Sequence, residues 1–295
     1  MSDDSPTVIQ HNAIGQQLLH LIEQDQIEVP MLPKVAGKVL QLVQNPETNA
    51  SALSALIQGD QVLAARVMRI ANSAHYRAGA DNMMSLQQAI TRLGLRLIGE
   101  VALAASIDSS MFNAPGYEQH IQQTLRHSLA SGLWAKEIAR TARKNVEAAF
   151  LSGLLHDMGR PVVVQSVVAI AKSIGIKPSL DEVAALENEY QRRVGLKVVK
   201  DWEMPTSVCD VVEYFDSYQD QAGDQTRIMI VVAGDLLATV VDQARDETGE
   251  VDMEEIVAQL LTEDVLAELN FYPDDIEELA QKAEKVISAV ESLSR

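Results

Sequence analysis

The residues best suited to chemistry lie together in Leu154-Leu155-His156-Asp157-Met158-Gly159-Arg160, where an imidazole and a carboxylate stand side by side in an otherwise apolar stretch. An ionised carboxylate taken out of water needs a partner, so Asp157 must find one. A metal ion is one solution, because imidazole nitrogen and carboxylate oxygen suit Fe, Mn or Zn, with further ligands supplied by other helices. A cap or salt bridge for Asp157, with His156 as a hydrogen-bonded core residue, is the alternative. The dipeptide alone leaves both open. Arg66 and Arg69, at i and i+3, could grip an anion, but the many carboxylates of the chain favour ion pairing. Cys209 has no histidine near it and reads as core. His11, His20, His75 and His120 lack ligand spacing. With no glycine-rich phosphate loop and no Ser-His-Asp arrangement, nucleophilic catalysis has no candidate.

These residues must be positioned by helices. Apolar residues recur three and four apart almost throughout, with hardly any alternating segment. Residues 7–24 form an amphipathic pattern, and Pro30 and Pro33 punctuate the start of the next helix, which Asn45-Pro46 stops. Helices follow from Ser51 to Gly59 and from Gln61 to about Ser73, with Ser51 and Asp60 as N-caps. Ser85 opens another run that breaks near Pro115-Gly116, closing a first helical half. Tyr117–Arg143 is a long helix, and Val146 to about Ser173 reads as one more, unusually apolar, with the His-Asp pair embedded in it. The valine-rich stretch 162–168 is the one place a strand is arguable, but its flanks favour a buried helix. Asp181 caps a helix running to about Trp202, Pro205 opens the next, and Thr226 to about Ala244 is apolar and contains Asp235. The acidic last fifty residues read as two surface-lying helices.

Composition narrows the function classes. The chain has 295 residues, 47% of them hydrophobic, enough for a substantial core. It lacks an apolar run long enough to span a bilayer, and its first twenty residues are acidic and polar, so we expect a protein that is soluble, cytoplasmic and not exported. The single cysteine excludes an internal disulfide framework. Forty-two acidic against twenty-four basic residues give a net charge of -18, which repels a phosphate backbone and argues against direct nucleic-acid binding. The short basic run Arg140–Lys144 has no interleaved aromatic residue to stack on bases.

A set of short motifs then adds a resemblance. Leu32-Pro33, Asn45-Pro46, Ile57–Asp60, the run Ala64–Tyr76, Ser85–Ile90 and Leu93-Gly94 occur in the order and spacing of the N-terminal half of the HDOD family. Arg126-His127-Ser128, Ala149–Arg160, Glu187, Val194-Gly195 and Trp202–Pro205 continue that pattern. The resemblance covers about residues 26–220 and is specific in combination. It implies an all-α fold of two packed helical bundles, the second like an HD domain, in a module derived from HD-type metal phosphohydrolases and used in bacterial signalling. The implied organisation is an N-terminal helix over 1–25, the HDOD domain over 26–220 with its halves meeting near 115, and C-terminal helices over 221–295 that complete or cover the HD-like bundle.

By position, the HD superfamily's minimal metal set would be His127, His156, Asp157 and Asp235, holding one divalent ion (Fe, Mn, Zn or Mg). Taken singly, His127 is an ordinary helical histidine and Asp235 a capped or exposed helix residue. Two further histidines of the related HD-GYP phosphodiesterases fall here on Gln191 and Phe215-Asp216, which argues against a two-metal site, and the GYP signature is absent. The lysine that often follows HD-x-G is Arg160, placed either to hold a phosphate or to pair with a carboxylate. The expectation is a stand-alone regulatory module, with no receiver, GGDEF or EAL segment, acting on a signalling protein or a small phosphorylated ligand. The alternative is a metal-dependent phosphohydrolase of nucleotides or other phosphoesters, with Asp157 assisting proton transfer.

Overall fold

The computed structural model describes residues 13–44, 47–77 and 81–294. The start of the first expected helix, His11 and the Asn45-Pro46 stop lie outside the described residues. The chain is all-helical, with one isolated β-bridge, Arg245 to Val251, among the described residues. Its first part holds α1 (Ala13–Glu23), α2 (Lys34–Gln44), α3 (Ala50–Gln58), α4 (Gln61–Ala71), the single turn α5 (Ala74–Arg77), α6 (Leu86–Leu93) and α7 (Leu95–Ser106). Helices α2 to α7 pack on one another around Val39, Leu53, Ile57, Val67, Ile70, Ile90 and Ile98. Asp60 caps α4 as its sequence position suggests, whereas α3 is capped by Asn49 and not Ser51, the Asn49 carboxamide oxygen accepting from Ala52 N at 2.9 Å.

The second part is built on α8 (Glu118–Thr141), α9 (Val146–Leu155), α10 (Gly159–Ile174), α11 (Leu180–Asp201), α12 (Thr206–Tyr214) and α13 (Thr226–Gln243). Helix α9 is buried from Ala149 to Leu155, and α13 is buried on nearly every side, so the two form the centre, with α8 packed along both. The α8–α9 approach is backbone to backbone, since a Cβ on Gly153 would meet the Gly132 Cα at 2.6 Å. Valines 162, 163, 164 and 167 are buried in helix α10, not in a strand. Ser179, not Asp181, caps α11, in a reciprocal capping box with Glu182.

Three further features differ from the sequence reading. The expected helix over 146–173 is broken at His156–Met158, between α9 and α10. Pro161 supplies the reason: in a continuous helix its ring would collide with the carbonyl four residues back, that of Asp157, whereas the first turn of a new helix needs no N–H there. The acidic tail forms four short helices, α14 (Met253–Leu260), α15 (Asp264–Glu268), α16 (Pro273–Ala280) and α17 (Ala283–Leu293). Asn270 at φ 61° and Pro273 divide it, and α17 is no surface helix: it buries Ala283, Val286, Ala289, Val290 and Leu293 and touches α5, α7 and α8, tying the two parts together. Helix α1, although N-terminal, lies on α10 and α11.

Candidate metal centre

The break at 156–158 turns the His-Asp pair toward α8, α11 and α13. His156 is fully buried, and its Nδ1 lies 2.7 Å from the carbonyl of Gly153, one turn earlier. A carbonyl only accepts, so Nδ1 carries the proton and Nε2 is the outward nitrogen. Nε2 lies 3.1 Å from Asp235 Oδ1 and 3.5 Å from Asp157 Oδ1. A neutral imidazole would point its lone pair at two carboxylates there, so the position requires either a second proton or a metal ion. Burial alone would lower the affinity of His156 for that proton, but the charges of Asp157 and Asp235 outweigh it and raise its pKa.

Asp235 draws the helices together. Its Oδ1 also lies 2.7 Å from His127 Nε2 and 3.0 Å from Ser131 Oγ, both on α8. Burial by itself would raise the Asp235 carboxyl, yet the bonds from His127 and His156 hold it far below the ordinary carboxylate range. The predicted quartet therefore converges in part. Donor atoms of His156, Asp157 and Asp235 lie within 4.8 Å of one another, and His127 joins them through Asp235. Two imidazole nitrogens and two carboxylates are a donor set that fits a single divalent ion. The Asp235 carboxylate is half-buried and bonded, neither a cap nor free in water.

Asp157 is compensated differently. Arg160 Nε donates to its Oδ2 at 3.2 Å, and Arg192 Nη1 donates to its Oδ1 at 3.1 Å. Of the two roles open to Arg160, the geometry displays the ion pair, with its Nη1 on Asn188 Oδ1 at 3.1 Å. Burial would push the Asp157 carboxyl up, and His156, Arg192 and Arg160 overrule it and lower its pKa. Arg192 also grips Asp216 with two bonds, at 2.9 and 3.1 Å, and donates to the His156 carbonyl at 3.1 Å. Phe215 stacks on the His156 ring, centroids 4.8 Å apart, and the Arg192 guanidinium lies 4.0 Å from the Phe215 centroid. Of the two positions on which further metal-binding imidazoles would fall, Gln191 is a buried carboxamide and Phe215 a stacked phenyl ring under the Arg192 guanidinium.

Sequence reasoning did not single out Arg192 or Ser131, and it set His120 aside. His120 lines the same cleft as Asp157 and Asp235, a hollow of about 870 Å³. Arg126, Arg160 and Arg245 also line it, and one wall is Val286, Ile287 and Val290 of α17. His120 stands seven residues before His127, a spacing that puts both on one helix face, and that was the available signal. Arg66 pairs with Asp108 at 2.8 Å, as the abundance of carboxylates suggests. Cys209 is half-buried and its thiol is pushed up by desolvation, consistent with packing. A smaller hollow of about 340 Å³, lined by Val39, Leu40, Leu103, Phe150 and Val208 among others, lies between the two helical parts.

Comparison with known proteins bears on the fold and the family. A curated relative, an uncharacterized protein of Treponema pallidum (strain Nichols), is 20% identical over 197 residues, 63% of this chain. The match spans only 37% of that relative's length. A crystal structure from Shewanella amazonensis SB2B, described as a candidate metal-dependent phosphohydrolase, superposes with a TM-score of 0.69 at 21% identity, covering 97% of this chain and 98% of that one. One from Marinobacter aquaeolei VT8, described as a candidate signal transduction protein, gives 0.62 at 21% identity over 99% of this chain and 69% of that one. At such identities these likenesses establish the fold. The HDOD domain family matches residues 29–218, nearly two thirds of the chain, and the protein belongs to that family.

Proposed function

We propose that this protein is a regulatory HDOD module that works by binding a protein partner or a small phosphorylated ligand, with His127, His156, Asp157 and Asp235 holding at most one divalent ion and little or no hydrolysis. One observation carries this reading: Phe215 and Arg192 fill the ground beside the His-Asp pair. A two-metal phosphohydrolase needs donors for ions roughly 4 Å apart that stabilise both the attacking and the leaving oxygen. A ring stacked on His156 and a cation already bound to Asp157 and Asp216 offer no such donors. The signal-transduction description of the Marinobacter protein fits a regulatory role, with a partner supplied in trans and the cytoplasm as the expected compartment.

The second reading is a one-metal phosphohydrolase acting on a nucleotide or another phosphoester, favoured by the donor set itself and by the description of the Shewanella neighbour. A bound ion would lower the pKa of a water and polarise a phosphoryl oxygen. Arg160 and Asp157 are then the groups placed to orient the ester and take part in proton transfer. The two readings separate on purified protein prepared without chelator. Metal is measured by emission spectroscopy, melting is compared with and without chelator, and a panel of nucleotides and phosphoesters is assayed for the parent and Asp157→Ala. The expected result is about one ion per chain, a lower melting temperature on chelation and negligible turnover. Metal-dependent turnover abolished by Asp157→Ala would promote the hydrolase. Absence of metal together with unchanged melting in Asp157→Ala would remove the ion from the proposal.

A further inference from the structure

The cleft carries a second built feature away from the metal donors. His120 precedes His127 by seven residues on α8, so the two imidazoles share a face about 10 Å apart along the axis. His120 Nε2 lies 2.8 Å from Glu187 Oε2 on α11, and the Glu187 side chain is only 2% exposed. The other Glu187 oxygen is buried with no hydrogen-bond partner among the described residues. Burying a carboxyl in this way is unfavourable, and burial pushes the Glu187 carboxyl up, only partly offset by His120. Packing has no need of it, because an apolar residue would fill the same volume more cheaply.

What the carboxyl does is fix the neighbouring ring. His120 is partly exposed, lines the cleft, and has its Nε2 taken by Glu187, while no described residue bonds its Nδ1. With Nε2 taken by the buried Glu187 carboxyl, the second ring nitrogen is the one left to meet a ligand in the cleft, and with a proton there it is a hydrogen-bond donor. The ligand such a donor prefers is an oxyanion. The remaining lining points the same way, since Arg126 makes no ion pair with any described residue and Arg160, bonded to Asp157, lines the same cleft. We propose that His120, oriented by Glu187, is an oxyanion subsite of the cleft, distinct from the metal donors, that takes a phosphate group of a phosphorylated small molecule. Its separation of about 10 Å from His127 along α8 suits a ligand of nucleotide size. This rests on the reading of the cleft as a ligand site, but not on a bound metal or on turnover.

The test follows the His120 ring itself. Protein labelled with ¹⁵N-histidine, with and without chelator, is titrated with inorganic phosphate, and the His120 signal is assigned by its loss in His120→Gln. The expected result is a saturable shift of that signal with both preparations, with an affinity roughly tenfold weaker in Glu187→Gln, the size expected for loss of one charge-assisted contact. A His120 signal in the parent that stays still through about 50 mM phosphate overturns the proposal whatever the variants do. Equal phosphate affinity in folded Glu187→Gln overturns the role of Glu187, and acetate binding as well as phosphate overturns the assignment to phosphate. A phosphate response in protein that holds no metal and hydrolyses nothing would leave the subsite standing after the metal centre had fallen.

Discussion

Gly234, the residue before Asp235, is where the packing of the site is most open to a quantitative test. A Cβ placed there would lie 2.7 Å from both Ser131 O and Ala135 N, and 3.0 Å from Ala135 Cα. All three atoms are α8 backbone, so no side-chain rotation relieves the clash. The contact is about 0.7 Å short of an ordinary 3.4 Å approach, and α8 and α13 must separate by most of that. Overpacking of this kind costs about 1–3 kcal/mol, while alanine in a helix returns up to about 1 kcal/mol. Gly234→Ala should therefore lose about 1–2 kcal/mol and, for a chain of this size, about 3–6 °C of melting temperature. Because the separation occurs next to Asp235, its bonds to His127 and Ser131 should loosen too, and any stabilisation by Mn²⁺ or Zn²⁺ should shrink. Gly37 is the control: a Cβ there meets only Leu32 Cδ2, at 3.7 Å, so Gly37→Ala should match or exceed the parent. Calorimetric melts of the three proteins decide it. A Gly234→Ala variant as stable as the parent would refute the close-approach argument.

Two further outcomes follow from the charges. Arg192→Met keeps the bulk over Phe215 but takes a cation from Asp157 and Asp216, and urea titration should show a loss of about 2–4 kcal/mol; an unchanged midpoint would mean Arg160 alone compensates Asp157. Glu137 is buried on α8; desolvation would raise its carboxyl, but Arg140, Lys285 and Lys282 hold it below the ordinary range, so its contribution is present above about pH 4.5 and fades as the pH falls through the lower folded-state value. Glu137→Gln should thus melt earlier than the parent at pH 7 and converge with it near pH 3, and a gap that widens on acidification would reverse the sign argued here.

The helical periodicity that made the fold legible says where helices run but little about how they meet. The long elements α8, α11 and α13 lie close to where the apolar spacing puts them. The errors cluster at breaks. Pro161, visible in the sequence, ought to have divided the segment over 146–173, because its clash falls on the carbonyl of Asp157 itself. In the tail the apolar spacing marks 252–261 and 273–293 as helices but does not show the five-residue α15 between them or the break at Gln281-Lys282, because one short turn leaves no period. At the site, His127, His156, Asp157 and Asp235 could be named from a family resemblance, whereas Arg192 could not. An arginine 35 residues from Asp157 on a polar helix resembles any solvated cation until the α10–α11 packing is known.

The centre treats its two carboxylates unlike one another, and that difference bears on what it can bind. Asp157 is neutralised by two guanidinium groups, which stay charged at every pH a protein tolerates. Asp235 is bonded by two imidazoles, and the second proton that it favours on His156 is one that can leave. A metal ion entering here would replace the second proton of His156 and take Asp235 and His127 as its exchangeable partners, while sharing Asp157 with Arg160 and Arg192. Its affinity should therefore rise with pH as His156 gives up its second proton. It should also be weaker than four unshared donors would give. Removing Arg192 costs stability by exposing the charge of Asp157, but it also returns that oxygen to the metal. In Arg192→Met the dependence of melting temperature on added Mn²⁺ should become steeper than in the parent, and a flatter dependence would mean that Asp157 belongs to the arginines alone.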